Sequence, residues 1–160
     1  EISLISLETF YSIPNIKSDN NTLVYSTDKG NRWQTMKIPT GCYEIDQLDQ
    51  LMKSNVGTAM AIKPNISTLR SIINITDENF QVDMSKSSLR TVLGFNASTP
   101  EGTPNILEMG IHESDNTVNI LDIANILVNC DLFSGSYLKG DLCSVIYSFF
   151  PAVGVGHKIT

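Results

Sequence analysis

Thr22-Leu23-Val24-Tyr25-Ser26-Thr27-Asp28-Lys29-Gly30-Asn31-Arg32-Trp33-Gln34-Thr35-Met36-Lys37-Ile38 is the stretch on which the fold class turns. Its first six residues are rich in β-branched, aromatic and hydroxyl side chains, the types that fit a pleated surface. Asp28 to Asn31 reads as a hairpin, because Gly and Asn tolerate the positive φ angles that tight hairpin turns need. The return arm, Arg32 to Ile38, alternates. Arg32, Gln34, Thr35 and Lys37 are polar, while Trp33, Met36 and Ile38 are apolar. The slip between Gln34 and Thr35 predicts a bulge.

Outward from this hairpin the same grammar repeats. Ile2 to Tyr11 reads as a strand ending at Ser12-Ile13-Pro14-Asn15. Thr58 to Lys63 and Ser67 to Ile75 read as a pair turning at Pro64-Asn65. Phe80 to Met84 alternates, and Leu142 to Phe150 reads as one further strand. Ser87 to Leu93 is at most a helical turn closed by Gly94, and residues 96–105 form a loop. Asn116 to Phe133 holds the most apolar run, read as a helix at Leu121 to Ala124 and a buried strand at Ile126 to Phe133. Gly135 to Asp141 reads as a turn, and Pro151, Gly154 and Gly156 give an irregular end. Only Tyr43 to Val56 has a helical period. Ile45, Leu48, Leu51, Met52 and Val56 share one face, acidic residues stand near its start and Lys53 in its last turn. Eight or nine short strands, one helix near residues 44–55 and no βαβ alternation predict an all-β antiparallel sandwich in a single domain, residues 1–160.

Composition agrees. The chain has 160 residues, 41% hydrophobic but only 18% charged, with 17 Ser, 13 Thr and 14 Asn in place of the missing charges. That excludes a coiled coil or an acidic disordered tail and suits turns and polar outer strand faces. At this length roughly 70% of the unfolded surface can be buried. Net charge is −6, and the eleven basic residues are scattered, so direct nucleic-acid binding is not expected. No apolar run approaches the roughly 20 residues of a spanning helix, so no membrane span is expected. The opening Glu1-Ile2-Ser3-Leu4 has neither Met nor a basic leader, which reads as a trimmed or processed chain. Four N-x-S/T sequons, at Asn20, Asn65, Asn74 and Asn96, are about what this composition gives by chance and carry no argument for secretion.

Chemistry-bearing patterns are sparse. Cys42, Cys130 and Cys143 are widely spaced and joined by only two histidines, so no metal site is expected. They read as buried thiols of a reducing compartment, with a Cys130–Cys143 disulfide as the alternative. His112-Glu113-Ser114-Asp115 is the one local set containing a base, an acid and a hydroxyl. Sequence neighbours point to different sides, so it reads as a solvated loop rather than a triad. No phosphate loop, nucleophile elbow or zinc-protease motif is present. The expectation is a non-enzyme with no cofactor and no catalytic residues. Trp33, Tyr137, Phe149, Phe150 and Pro151 are the candidate contact residues. In Phe149-Phe150-Pro151 adjacent rings on a strand face opposite sides, so one turns away from its own core.

Ile38-Pro39-Thr40-Gly41-Cys42-Tyr43-Glu44-Ile45, followed by Leu48, Leu51 and Met52, resembles a strand–Gly-x-Tyr–helix unit of jelly-roll capsid proteins of eukaryotic DNA viruses. Phe80 to Met84, then Ser87-Ser88-Leu89 and Leu93-Gly94-Phe95, resemble the segment that follows in those families. Gly135 to Gly140 and Ile146 to Pro151 resemble segments of Polinton, Maverick or adintovirus-like elements and their integrated copies in invertebrate genomes. The resemblance spans about residues 4 to 160, and similar proteins continue beyond that end. It implies a single jelly roll and a virion structural protein (penton-like, minor capsid or protruding head), too short for a double barrel. It implies a homo-oligomer, trimer or pentamer, that meets other capsid proteins in the virion after assembly in the host nucleus or cytoplasm. Two other readings remain beside it. One is a carbohydrate- or host-receptor-binding sandwich. The other is a hydrolase on a β scaffold, which requires His112 beside an acid and a nucleophile.

Overall fold

The computed structural model describes residues 6–10, 12–120, 126–131, 136–138, 141–150 and 157–159. In chain order its strands are β1 (Thr9–Phe10), β2 (Thr22–Ser26) and β3 (Gln34–Lys37), then helix α1 (Ile45–Val56), β4 (Met60–Asn65), β5 (Arg70–Ile75) and β6 (Gln81–Asp83). The short helix α2 (Arg90–Leu93) leads to β7 (Ile106–Leu107) and β8 (Gly110–Glu113). β9 (Ile126–Asn129), β10 (Ser136–Leu138), β11 (Asp141–Cys143), β12 (Val145–Phe149) and β13 (Lys158–Ile159) follow. The protein is thus mostly β, every described pairing is antiparallel, and there is one substantial helix. The chain gathers into two compact units. Pro14–Ile120 forms one, and Glu1–Ile13 with Leu121–Thr160 forms the other.

In the larger unit, β2 and β3 form the expected hairpin. Lys29 and Gly30 both take positive φ, 56° and 80°, as a type I′ turn requires. The Ser26 hydroxyl accepts the N–H groups of Asp28 and Gly30, and the Asp28 carboxylate accepts that of Arg32. The bulge expected between Gln34 and Thr35 is absent, since the register runs unbroken from Thr22 opposite Lys37 to Tyr25 opposite Gln34. The broken alternation has another cause. Met36 and Ile38 face the core, and Trp33 lies on the opposite face with Thr35 and Lys37. The sheet runs β3-β2-β6-β7, and a second sheet runs β4-β5-β8.

Pro64 and Asn65, expected at a turn, belong to β4, opposite Ser71 and Arg70. The turn falls one step later, at Ile66 to Leu69, where Leu69 takes φ 57°. Proline is tolerated because β4 is an edge strand. Helix α1 covers that edge. Its first turn is closed by Gln47, whose Oε1 accepts the Glu44 N–H at 3.0 Å. Asp49 Oδ1 accepts the outward-pointing N–H of Ile62 at 2.8 Å. Leu48 and Met52 are fully buried against Ile62, Ile73 and Phe80 in one core. Strands β7 and β8 were not anticipated, and β8 occupies ground read as a loop.

The smaller unit contains three two-stranded pairs, β1–β13, β10–β11 and β9–β12. The region read as one strand from Leu142 to Phe150 is two, parted at Ser144, and the register slips between Val145 and Tyr147. The Gly135–Asp141 stretch read as a turn contains β10. β9 is not buried, but alternates between half-buried and exposed positions. The helix read at residues 121–124 lies outside the described residues, as do residues 2–5 and 11 of the first expected strand.

Among the described glycines, Gly94 is the most tightly packed. It ends α2 with φ 83°, and a Cβ there would stand 2.3 Å from the Asn116 carbonyl oxygen. Gly102 has nearly the same φ, 81°, and open space around it. Gly102→Ala is expected to cost only the left-handed strain, about 1–2 kcal/mol. Gly94→Ala is expected to cost clearly more, because backbone must move as well. Urea denaturation of both variants checks this, and equal losses would contradict it.

Candidate functional site

One polar arrangement in the larger unit is built on the buried Asp83. Its carboxylate is about 1% exposed. It accepts the Ser85 hydroxyl and the Lys86 N–H, and it pairs with the Lys86 ammonium at 3.0 Å. The same ammonium lies 5.6 Å from the centre of the Trp33 ring. Such a cation–π contact is worth about 0.5–1 kcal/mol at an exposed site. Trp33 is half-buried, so part of its ring remains in solvent. Gly30 lies beside it, and a Cβ there would come within 2.8 Å of Gln81 Oε1 and 3.4 Å of Trp33 Cζ2. Burial opposes ionisation of Asp83. The bonds from Ser85 and Lys86 and the Lys86 charge outweigh it, so the carboxyl titrates below its ordinary value of 3.8.

The other candidate contacts lie in the smaller unit. Tyr147 and Phe149, two apart on β12, stack with ring centres 5.8 Å apart. Phe149 is half-buried, while Phe150 is 71% exposed. Tyr137 lies on β10 opposite Leu142, and Pro151 lies outside the described residues.

The tetrad from His112 to Asp115 is dispersed by its strand. The His112 ring bonds the Glu108 carbonyl at 2.7 Å through Nε2. Glu113 accepts the Thr68 hydroxyl at 2.7 Å and the Asn65 amide at 2.8 Å, and these bonds hold its carboxyl below the ordinary range. The buried Ser114 hydroxyl donates to the Asn116 carbonyl and accepts the Ser71 N–H. Asp115 accepts the Asn96 N–H. Each of the four groups is bonded to a separate partner rather than to one another.

The cysteines, expected to be buried, are half-buried thiols. Cys130 donates its N–H to the Ser144 carbonyl at 2.9 Å, so Ser144 rather than Cys143 lies across from it. Adjacent strand positions face opposite sides, which sets Cys143 away from Cys130. Among the described residues no three His, Cys, Asp or Glu side chains gather as a metal site would require, and no helix is long and apolar enough to cross a membrane.

Sequence reasoning missed Asp83, because strict alternation in Phe80–Met84 predicts it as outward and solvated. It also missed Asn15, whose buried amide donates to the Tyr43 and Ile120 carbonyls and accepts the Tyr43 N–H. The Asp-x-x-Lys spacing was the one signal for the first. No family model matches the chain, nor does a curated protein or a solved structure.

The lowered titration of Asp83 fixes a pH dependence. A carboxyl whose folded value is depressed contributes stability that is fully present above its unfolded value and is lost as pH falls through the folded one. Wild type is therefore expected to lose urea resistance faster than Asp83→Asn as pH drops below about 4, so the gap between them narrows. Parallel pH profiles for the two proteins would show that Asp83 is not the group responsible.

Proposed function

We propose that the chain is a non-enzymatic virion structural protein, penton-like, minor capsid or protruding-head in type, that assembles through a jelly-roll-like β-sandwich into a trimer or pentamer and then joins other capsid proteins in the particle. The ordered run of capsid-like segments from Ile38 to Pro151 supports this reading. So does the antiparallel, short-stranded build, with one helix where that resemblance expects it.

The observation that carries the proposal is the apolar surface of the smaller unit. Among the residues of this unit whose burial is described, only Ile159 is a buried hydrophobic. Phe10, Leu142, Tyr147 and Phe150 are each at least half exposed, at 64%, 62%, 50% and 71%. Two-stranded pairs are marginal in water by themselves and gain stability by laying an apolar face on another surface. Burial of aromatic side chains also dominates the energetics of subunit contacts. Repeated copies of one chain supply such a surface in a closed ring.

Light scattering behind a sizing column tests the proposal. The expected result is a discrete trimer or pentamer, with Phe150→Asp weakening association at least about tenfold, as loss of an aromatic anchor does. A strictly monomeric wild type at high concentration would sink it.

A further inference from the structure

A cleft of about 510 Å³ opens on the larger unit, between the C-terminal end of α2 and the chain that follows β8. Its polar walls are Arg90, Thr91, Asn96, Asn116, Thr117 and Asn119. We propose that this cleft binds a saccharide unit carrying a single negative charge, with the charge held by Arg90 and the ring hydroxyls by the amides and hydroxyls of the opposite wall. The inference goes beyond the assembly proposed above and does not rest on it.

Three observations support it. First, the walls are fixed before any ligand arrives. The Asn116 N–H bonds the Gly94 carbonyl at 2.8 Å, and the Asn119 N–H bonds the Val92 carbonyl at 2.9 Å. The Asn116 amide also reaches Asn96 Oδ1 at 3.0 Å. Backbone thus pins one wall to the other, with the side-chain-free Gly94 allowing the close approach. A preformed cleft of this size falls in the range that small ligands occupy.

Second, donors are left over. Arg90 has five N–H donors, and a single one is committed within the described residues, through Nη1 to the Ser87 carbonyl at 2.8 Å. Among the described residues the Thr117 hydroxyl and the Asn119 side-chain amide have no protein partner. An amide that both donates and accepts matches a pair of neighbouring sugar hydroxyls, and a guanidinium matches a carboxylate or sulfate in a planar fork.

Third, the charge is selective. The protein carries a net −6, yet this cleft is lined by one cation and no carboxylate. The nearest acid in sequence, Asp115, is turned to the Asn96 N–H at 2.8 Å. One guanidinium balances one negative charge, which favours a carboxylated or sulfated sugar over a dianionic phosphate. Phe95 also lines the cleft but is buried, so recognition there rests on hydrogen bonds rather than on ring stacking.

The test is a titration followed by backbone amide shifts in nitrogen-15 NMR, using glucuronate, glucose 6-sulfate, glucose and inorganic phosphate. Shifts centred on residues 116–119 are expected, with glucuronate or glucose 6-sulfate binding at least about tenfold more tightly than glucose. The tighter of the two identifies the acid group. Arg90→Gln is expected to abolish that preference, while Asn119→Ala weakens charged and neutral sugars alike. Should Arg90→Gln fail to fold, Arg90→Lys keeps the charge but loses the fork and is expected to reduce the preference. Glucose binding as well as glucuronate would overturn the proposal, as would phosphate alone binding as tightly as the sugars. A folded Arg90→Gln protein that keeps its preference, or the absence of any shift at residues 116–119, would overturn it too.

Discussion

Strand β2 can lie at the centre of its sheet only because the segment after β6 completes what β6 itself does not. β6 pairs with β2 at Tyr25 and Ser26 alone. Upstream, the β2 backbone would present unpaired groups to a buried interface, at a cost of about 1–3 kcal/mol each. Instead Ser87 Oγ accepts the Val24 N–H and Ser88 Oγ accepts that of Thr22, while the Thr22 carbonyl accepts the Leu89 N–H. Three consecutive residues of a turn act in place of a strand. Asp83 holds that turn, with its carboxylate on Ser85 and Lys86 and its carbonyl on the Ser87 hydroxyl. The buried charge and the edge of β2 are one arrangement, and the Trp33 ring joins it through Lys86.

That arrangement marks where the sequence can and cannot be read. Helix α1 and the β2–β3 hairpin were legible because both signals are local, a 3.6-residue period in one and turn chemistry at Asp28 to Asn31 in the other. β7 and β8 were not, because two and four residues are too few to show a period of two. Pro64 misled because proline usually ends a strand, and the helix that makes β4 a covered edge is invisible to local pattern. Leu69 adopts a turn conformation its own chemistry disfavours, imposed by the pairing on either side. For the candidate contacts, strand alternation said only that one of Phe149 and Phe150 turns outward, and it is Phe150 that stands exposed. The partnership of Trp33 with Lys86 was not legible, since the residues are far apart in sequence and the supposed bulge put Trp33 on the wrong face.

The two units differ in how they satisfy the same need. The larger one buries a continuous apolar cluster from Ile16 to Leu107. In the smaller one the described aromatics stack along a strand, as Tyr147 and Phe149 do, or stand in solvent, as Phe150 does. An apolar surface of that kind is what the proposed assembly would cover, and this gives the proposal content at the level of residues.

The abundance of Ser, Thr and Asn also takes on a different meaning. Composition alone placed these residues in turns and on outer strand faces. Yet Asn15, Asn21, Ser26, Ser71, Ser87 and Ser114 are buried. Apart from the Asn21 side-chain oxygen, their buried polar atoms are satisfied, and each of these residues bonds main chain, Ser26 in the turn that follows it and the others in a separate segment. Short strands end often, and every end leaves main-chain donors and acceptors that a ladder would otherwise pair. A small hydroxyl or amide satisfies them without the desolvation cost of a charge. The low charge content and the short strands therefore have a common origin. A chain that stops its strands every few residues needs compact neutral hydrogen-bonding groups inside, and Asp83, the buried exception, is tolerated because Ser85 and Lys86 meet it at once.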